Sequence, residues 1–236
     1  MSIFNQESFE MDFENVYLHP MNIIKNITSL KKSLPSKVEL VAVSKTKPIE
    51  DLETAYTAGQ RIFGENKIQE MVSKWEQLPK DIHWHMIGHV QTNKVKYMAP
   101  FVHLIHAVDS MKLLKEIQKQ ALKNNRIIRC LLQIRIAKEE TKFGFPAEEI
   151  DSLLETSKSL PNIAINGLMG MASFTGDKQQ VRSEFMSLAK LFNKVTDLHK
   201  GCEILSMGMS GDYQIAIEEG SNMIRVGSKI FGERTY

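Results

Sequence analysis

The stretch VELVAVSKTKPIEDLETAYTAGQRIFGE, residues 38–65, holds one complete structural unit. Residues 38–45 are rich in β-branched side chains and read as a strand. After Pro48, residues 49–58 space their apolar side chains as a helix face does, and Gly59 follows as a stop. Residues 61–65 are a second β-rich run. The connection is too long for a hairpin and suits a parallel crossover packed by its own helix. Working outward, the alternation continues. Further β-rich runs lie at 83–88, 104–109, 128–136, 164–171, 203–209 and 223–232, which makes eight in all. Helical patterns lie at 66–77, 111–123, 147–157, 177–199 and 213–219. Asp109 or Ser110 is placed to cap one of them, Pro146 suits the first turn of another, and Gly220 ends a third. Residues 11–34 form one extra helix before the first strand, and residues 1–10 are expected to fray. Eight strand–helix units predict an α/β fold, a (β/α)8 TIM barrel with an additional N-terminal helix, over residues 11–236. An open doubly wound sheet is compatible with the same pattern.

Composition narrows the function classes. The 236 residues are 42% hydrophobic and 25% charged, which fits a folded globular protein and excludes a collagen-like chain or a disulfide scaffold. The charge balance of 30 − 28 = +2 calls for neither a nucleic acid nor an anionic membrane as partner. No run approaches the roughly 18 apolar residues of a membrane span. The acidic start resembles neither a secretory signal nor a presequence. Cys130 and Cys202 sit in apolar runs without paired spacing and read as reduced core residues of a cytoplasmic protein.

In such folds function gathers at the C-terminal ends of the strands. The first strand ends VAVSK, and strand alternation puts Val41, Val43 and Lys45 on one face, so a lysine amine stands at the mouth. Partial burial or a nearby cation frees the lone pair of such an amine for Schiff-base chemistry with a carbonyl. Lys47 is a second candidate amine, but it lies in the loop before Pro48 and reads as solvated. Two other strand ends are rich in small residues: LSMGMSGD at 205–212 and IRVGS at 224–228. Ser210, Gly211, Gly227 and Ser228 let backbone N–H groups approach an anion, and Arg225 shares the face of Gly227. Barrels often hold phosphate after their seventh and eighth strands. A lysine plus a phosphate cradle points to a phosphorylated aldehyde. Pyridoxal phosphate and a sugar-phosphate aldolase substrate both satisfy it.

The ordered blocks VAVSKTKP (41–48), FGENKIQE (63–70), HMIGHVQTNK (85–94), ETKFG (140–144), GLMGM (167–171), LSMGMSGD (205–212) and IRVGSKIFGER (224–234) carry a resemblance. Over roughly residues 20–234 the chain resembles the pyridoxal phosphate homeostasis protein family, which is related to the barrel domain of alanine racemase. The resemblance implies pyridoxal 5′-phosphate (PLP) as cofactor, held by Lys45 as a Schiff base. Ser210, Gly211, Gly227 and Ser228 would hold the phosphate. Arg225 would face the pyridine nitrogen, and Asn66 and Met207 would line the ring and its surroundings. Lys142 corresponds to a lysine tied to cofactor release. Arg135, Met86 and Asn222 depart from the family pattern, which has Asn, an aromatic and Thr there.

An arginine at the pyridine nitrogen is permanently charged and leaves the ring unprotonated, a poorer electron sink. Racemisation also needs an acid/base group on the second face of the substrate. Related racemases draw it from a second domain, and none is expected after the eighth unit. The expectation is therefore a cytoplasmic, monomeric carrier that stores, protects or delivers PLP, with apo PLP-dependent enzymes as partners and little turnover. A racemase-like enzyme is the alternative. A metal-dependent hydrolase is a further one, because five of the seven histidines fall between 83 and 106 and His83 and His85 share a strand face. No metal site is expected from them. A P-loop and a complete nucleophile elbow are both absent.

Overall fold

The computed structural model describes residues 13–137 and 143–233. The expected runs are parallel strands: β1 (Glu39–Val43), β2 (Ile62–Glu65), β3 (His83–Met86), β4 (Leu104–Val108), β5 (Ile128–Gln133), β6 (Ile163–Met169), β7 (Ile204–Ser206) and β8 (Met223–Val226). Each pairs with the next in chain order, and β8 closes on β1 with Val41 opposite Arg225. The barrel is closed, so the open sheet is excluded. The helices are α1 (Phe13–Ser33), α2 (Ile49–Thr57), α3 (Ile68–Gln77), α4 (Val95–Met98), α5 (Met111–Lys123), α6 (Ile150–Ser157), α7 (Lys178–Leu198), α8 (Tyr213–Glu218) and α9 (Ser228–Phe231).

Strand alternation sorts the core into two layers. Val41, Leu104, Leu131, Met169 and Met223 pack inside the barrel. Leu40, Ala42, Phe63, Trp84, Ile105 and Leu168 face outward against the helices. The extra helix α1 buries Ile23, Ile27 and Leu30, a stripe spaced at four and three residues. Its polar links fix where it docks. His19 Nε2 lies 2.9 Å from Asp51 Oδ1 on α2, and Asn26 donates to the Ile230 carbonyl of α9 at 3.1 Å. α1 thus bridges the first and last units of the barrel.

Several boundaries differ from the sequence reading. β7 stops at Ser206 rather than 209, because Gly208 takes φ +97° and turns the chain. The helix read from 66 starts at Ile68, which leaves Asn66 on the loop after β2. The helix read from 147 opens as a 3-10 turn, Ala147–Glu149, ahead of α6. A 3-10 turn, Thr92–Lys94, and α4 follow β3, where the sequence shows no helical period. The caps form as expected at Ser110, whose Oγ accepts from Leu113 N, and Asp177 adds another with Gln179 N and Gln180 N. Residues 1–10, Lys142 and Arg234 lie outside the described residues. No helix among the described residues is long and apolar enough to cross a membrane.

Candidate functional site

A cavity of about 420 Å3 opens at the C-terminal mouth of the barrel. Lys45, Asn66, Ser210, Gly211, Arg225, Gly227 and Ser228 all line it, brought together from the ends of four strands, β1, β2, β7 and β8. Lys45 reaches it because β1 puts Val41 and Val43 on the inner face and the chain runs on in register. The Lys45 side chain is half-buried.

The loops after β7 and β8 are stitched together. Gly208 is glycine for a reason beyond its positive φ: a Cβ there would lie 2.6 Å from Ala216 Cβ and 2.9 Å from Tyr213 Cα. Asp212 Oδ1 accepts from Met209 N at 2.5 Å, and Gly227 N donates to Ser210 Oγ at 3.2 Å. The turn that begins at Ser228 leaves its first N–H groups without partners inside that turn.

Arg225 is buried, and its guanidinium is held by oxygens at the ends of β7 and β6. It donates to Ser206 O at 2.9 Å, Ser206 Oγ at 2.6 Å and Gly170 O at 3.0 Å. Burial lowers its pKa to about 10, with the Asp212 carboxylate acting the other way, so it stays charged at neutral pH. Lys45, Lys47 and Arg225 are the titratable groups among the described lining residues, and all three are basic. That wall suits a polyanionic ligand.

Two expectations need correction. Met207 is fully buried in the layer between barrel and helices and is not part of the cavity wall. It shares the outward face of Leu205, while Ser206 points inward. Met209, beyond the Gly208 turn, takes the place at the wall. Lys47 is not simply solvated: its Nζ donates to Phe231 O at 2.9 Å and lies on the cavity wall. Ile87, Met171 and Phe174 also line the cavity and were not singled out from the sequence. Ile87 and Met171 sit just past strand ends, the signal that could have found them. The three departures from the family pattern all lie off the cavity. Arg135 is exposed, Met86 is in the outer core, and Asn222 clips β7 by accepting from Leu205 N at 2.8 Å.

Below Arg225, a polar column runs down the barrel. Ser206 Oγ lies 3.0 Å from His106 Nδ1, and His106 Nε2 lies 3.0 Å from His85 Nδ1. Burial pushes both imidazoles well below their ordinary pKa. His83 and His85 do share a face, but both stack on His103, with ring centroids 4.0 and 5.6 Å apart. Among the described residues no three His, Cys, Asp or Glu side chains are grouped so as to hold a metal ion. Cys130 and Cys202 are free and buried, and burial raises both thiol pKa values.

Comparisons with known proteins give this geometry a lineage. The pattern of the family described as alanine racemase, N-terminal domain, matches residues 18–235. A pyridoxal phosphate homeostasis protein of Aquifex aeolicus is 40% identical over 200 residues, covering 84% of this chain and 88% of the relative. The chain belongs to the pyridoxal phosphate homeostasis protein family. A second member, from Synechocystis sp., is 41% identical over 207 residues, covering 86% of this chain and 94% of its own. Among solved structures, PipY of Synechococcus elongatus with PLP bound aligns at a TM-score of 0.82 and 32% identity. The match covers 89% of this chain and all of PipY (100%). Alanine racemase from E. faecalis aligns at a TM-score of 0.71 but 18% identity, over 91% of this chain and 58% of the racemase, and shares the fold alone.

Proposed function

We propose that this chain binds PLP and serves its homeostasis, storing, protecting or delivering the cofactor rather than turning over amino acids. The observation that carries the reading is the joining of Lys45, Arg225 and the Ser210–Gly211 and Gly227–Ser228 turns around one cavity. Family membership and the PLP-bound form of PipY support it. Lys45 is the amine that would link covalently to the aldehyde. The two glycine-serine turns would take the phosphate on their backbone N–H and hydroxyl groups. Asn66 would stand beside the ring, with Met209 in place of Met207 at the wall. Arg225 would face the pyridine nitrogen as a fixed cation.

PLP supplies an electron sink when its ring nitrogen is protonated, and a permanent cation at that nitrogen works against protonation. Racemisation needs a second acid/base group opposite the lysine. Lys47 is the other amine on the wall, and it is held by the Phe231 carbonyl. These features favour a carrier over a racemase. The carrier would act in the cytoplasm as a monomer and hand PLP to apo enzymes.

Ligand-linked stability tests the reading. PLP at about 100 times its Kd should add about 2.7 kcal/mol, which raises the thermal midpoint by several degrees. Lys45→Ala should lose most of that shift while inorganic phosphate still stabilises it. No PLP-dependent shift in the parent chain would refute the proposal.

A further inference from the structure

Behind the wall that carries Lys45 the packing is ionic where a barrel is normally apolar. Ser44 points away from the cavity and is fully buried. It meets Glu65 at the end of β2, and Lys74 and Glu70 on α3. Lys74 Nζ donates to Glu65 Oε1 at 2.8 Å, Glu70 Oε1 at 2.7 Å and Ser44 O at 2.7 Å. All three of its N–H groups are thereby used. Ser44 Oγ donates to Glu65 Oε1 at 2.6 Å. Glu70 Oε1 also accepts from Thr46 N at 2.5 Å. Thr46 has φ +64°, a left-handed conformation that costs a non-glycine residue about 1 kcal/mol or more. The carbonyl before Lys45 and the N–H after it therefore end on the same ion cluster.

Stability alone is a poor reason for such a cluster. Glu65 is fully buried and Lys74 is only 5% exposed. Desolvating such charges costs about as much as their attraction returns, and apolar side chains of similar size often serve as well. Among the described residues, Glu65 Oε2 has no hydrogen-bond partner. Burial first, against the pull of Lys74, raises the Glu65 pKa to about 7. What the cluster does supply is direction. It fixes both peptide groups around one residue whose side chain leaves on the opposite side, toward the cavity.

We propose that Glu65, Lys74 and Glu70 are positioning residues for Lys45, holding its two flanking peptide groups so that its amine stands in line with an aldehyde in the cavity. The inference rests on the cofactor reading above. In the step concerned, the Lys45 nitrogen attacks the aldehyde carbon and a C=N bond forms. The carbonyl oxygen leaves as water with the two amine hydrogens, and nothing is oxidised or reduced.

Glu70 is the member to change, because its side chain is 21% exposed and its loss leaves the buried Glu65–Lys74 pair intact. Glu70→Ala removes the acceptor for Thr46 N, whereas Glu70→Gln keeps an oxygen there. The rate of covalent linkage is read by timed borohydride trapping of PLP on the Lys45 peptide. Affinity for pyridoxine 5′-phosphate, which lacks the aldehyde, reads the cradle alone. Glu70→Ala should slow trapping about tenfold, as expected for misplaced reacting groups, with pyridoxine phosphate affinity changed less than about twofold. Glu70→Gln should recover most of the rate. Trapping at the parent rate in Glu70→Ala, or an equal loss of trapping and of pyridoxine phosphate binding, would overturn the positioning role alone. A parent chain that never links PLP would overturn the cofactor reading and this inference together.

Discussion

Arg225 shows how one residue can serve both packing and chemistry. Its guanidinium satisfies two backbone carbonyls and a hydroxyl, and its charge lies against the cavity. In Arg225→Met the Ser206 and Gly170 carbonyls lose their charged donor, a loss of about 2–4 kcal/mol in urea unfolding. PLP affinity should fall about tenfold through loss of the cation. Unchanged stability would mean that these hydrogen bonds contribute nothing net. At this scale the sequence was informative wherever strand alternation reached past the strand end. Val41, Val43 and Lys45 followed it on β1, and Arg225 and Gly227 followed it on β8. Alternation also accounts for Met207, which the family resemblance placed beside the ring: it shares the parity of Leu205 and faces outward. The Lys47–Phe231 bond joins positions 184 apart in sequence, and no local pattern encodes such a contact.

At the scale of elements, the strands were legible because each is a short β-rich run between helical periods. Their ends were less so. The run read to 209 ends in β7 at Ser206, because the Gly208 turn forced by Ala216 and Tyr213 is a tertiary requirement. α4 is four residues long, too short for a 3.6-residue period to show. The Glu65–Lys74–Glu70 cluster joins a strand end to a helix packed behind it. The block FGENKIQE was visible, but nothing local says that its charges turn inward rather than toward solvent. α1 was legible as a helix, yet its position across the β1/β8 seam comes from His19 and Asn26, whose partners lie far along the chain.

For the molecule as a whole, the polar column inside the barrel sets the response to pH. His85 and His106 are held neutral by burial, and His103 is lowered to about 4, by burial first and then by His83 and the nearby arginines. Each takes a proton more readily in the unfolded chain, so the unfolded state holds more protons below about pH 6.5. Stability is therefore lost as pH falls through that value. Glu65 works the other way. Its pKa is raised to about 7 from 4.5, so its contribution is full in acid and is lost as pH rises through 7. Below about pH 6.5 three histidines outweigh one glutamate. The thermal midpoint should drop by roughly 5 °C or more between pH 7 and pH 5. A midpoint that is flat or rising toward acid would mean that the column is not buried and neutral.

The same architecture puts the claim about function on one amine. The most direct measurement is the visible spectrum of the purified protein with PLP, before and after borohydride, followed by peptide mapping of the reduced adduct. A yellow protein is expected, its colour discharged by reduction and the label found on Lys45. A protein that stays colourless with added PLP, or one labelled elsewhere while Lys45 is unmodified, would contradict it.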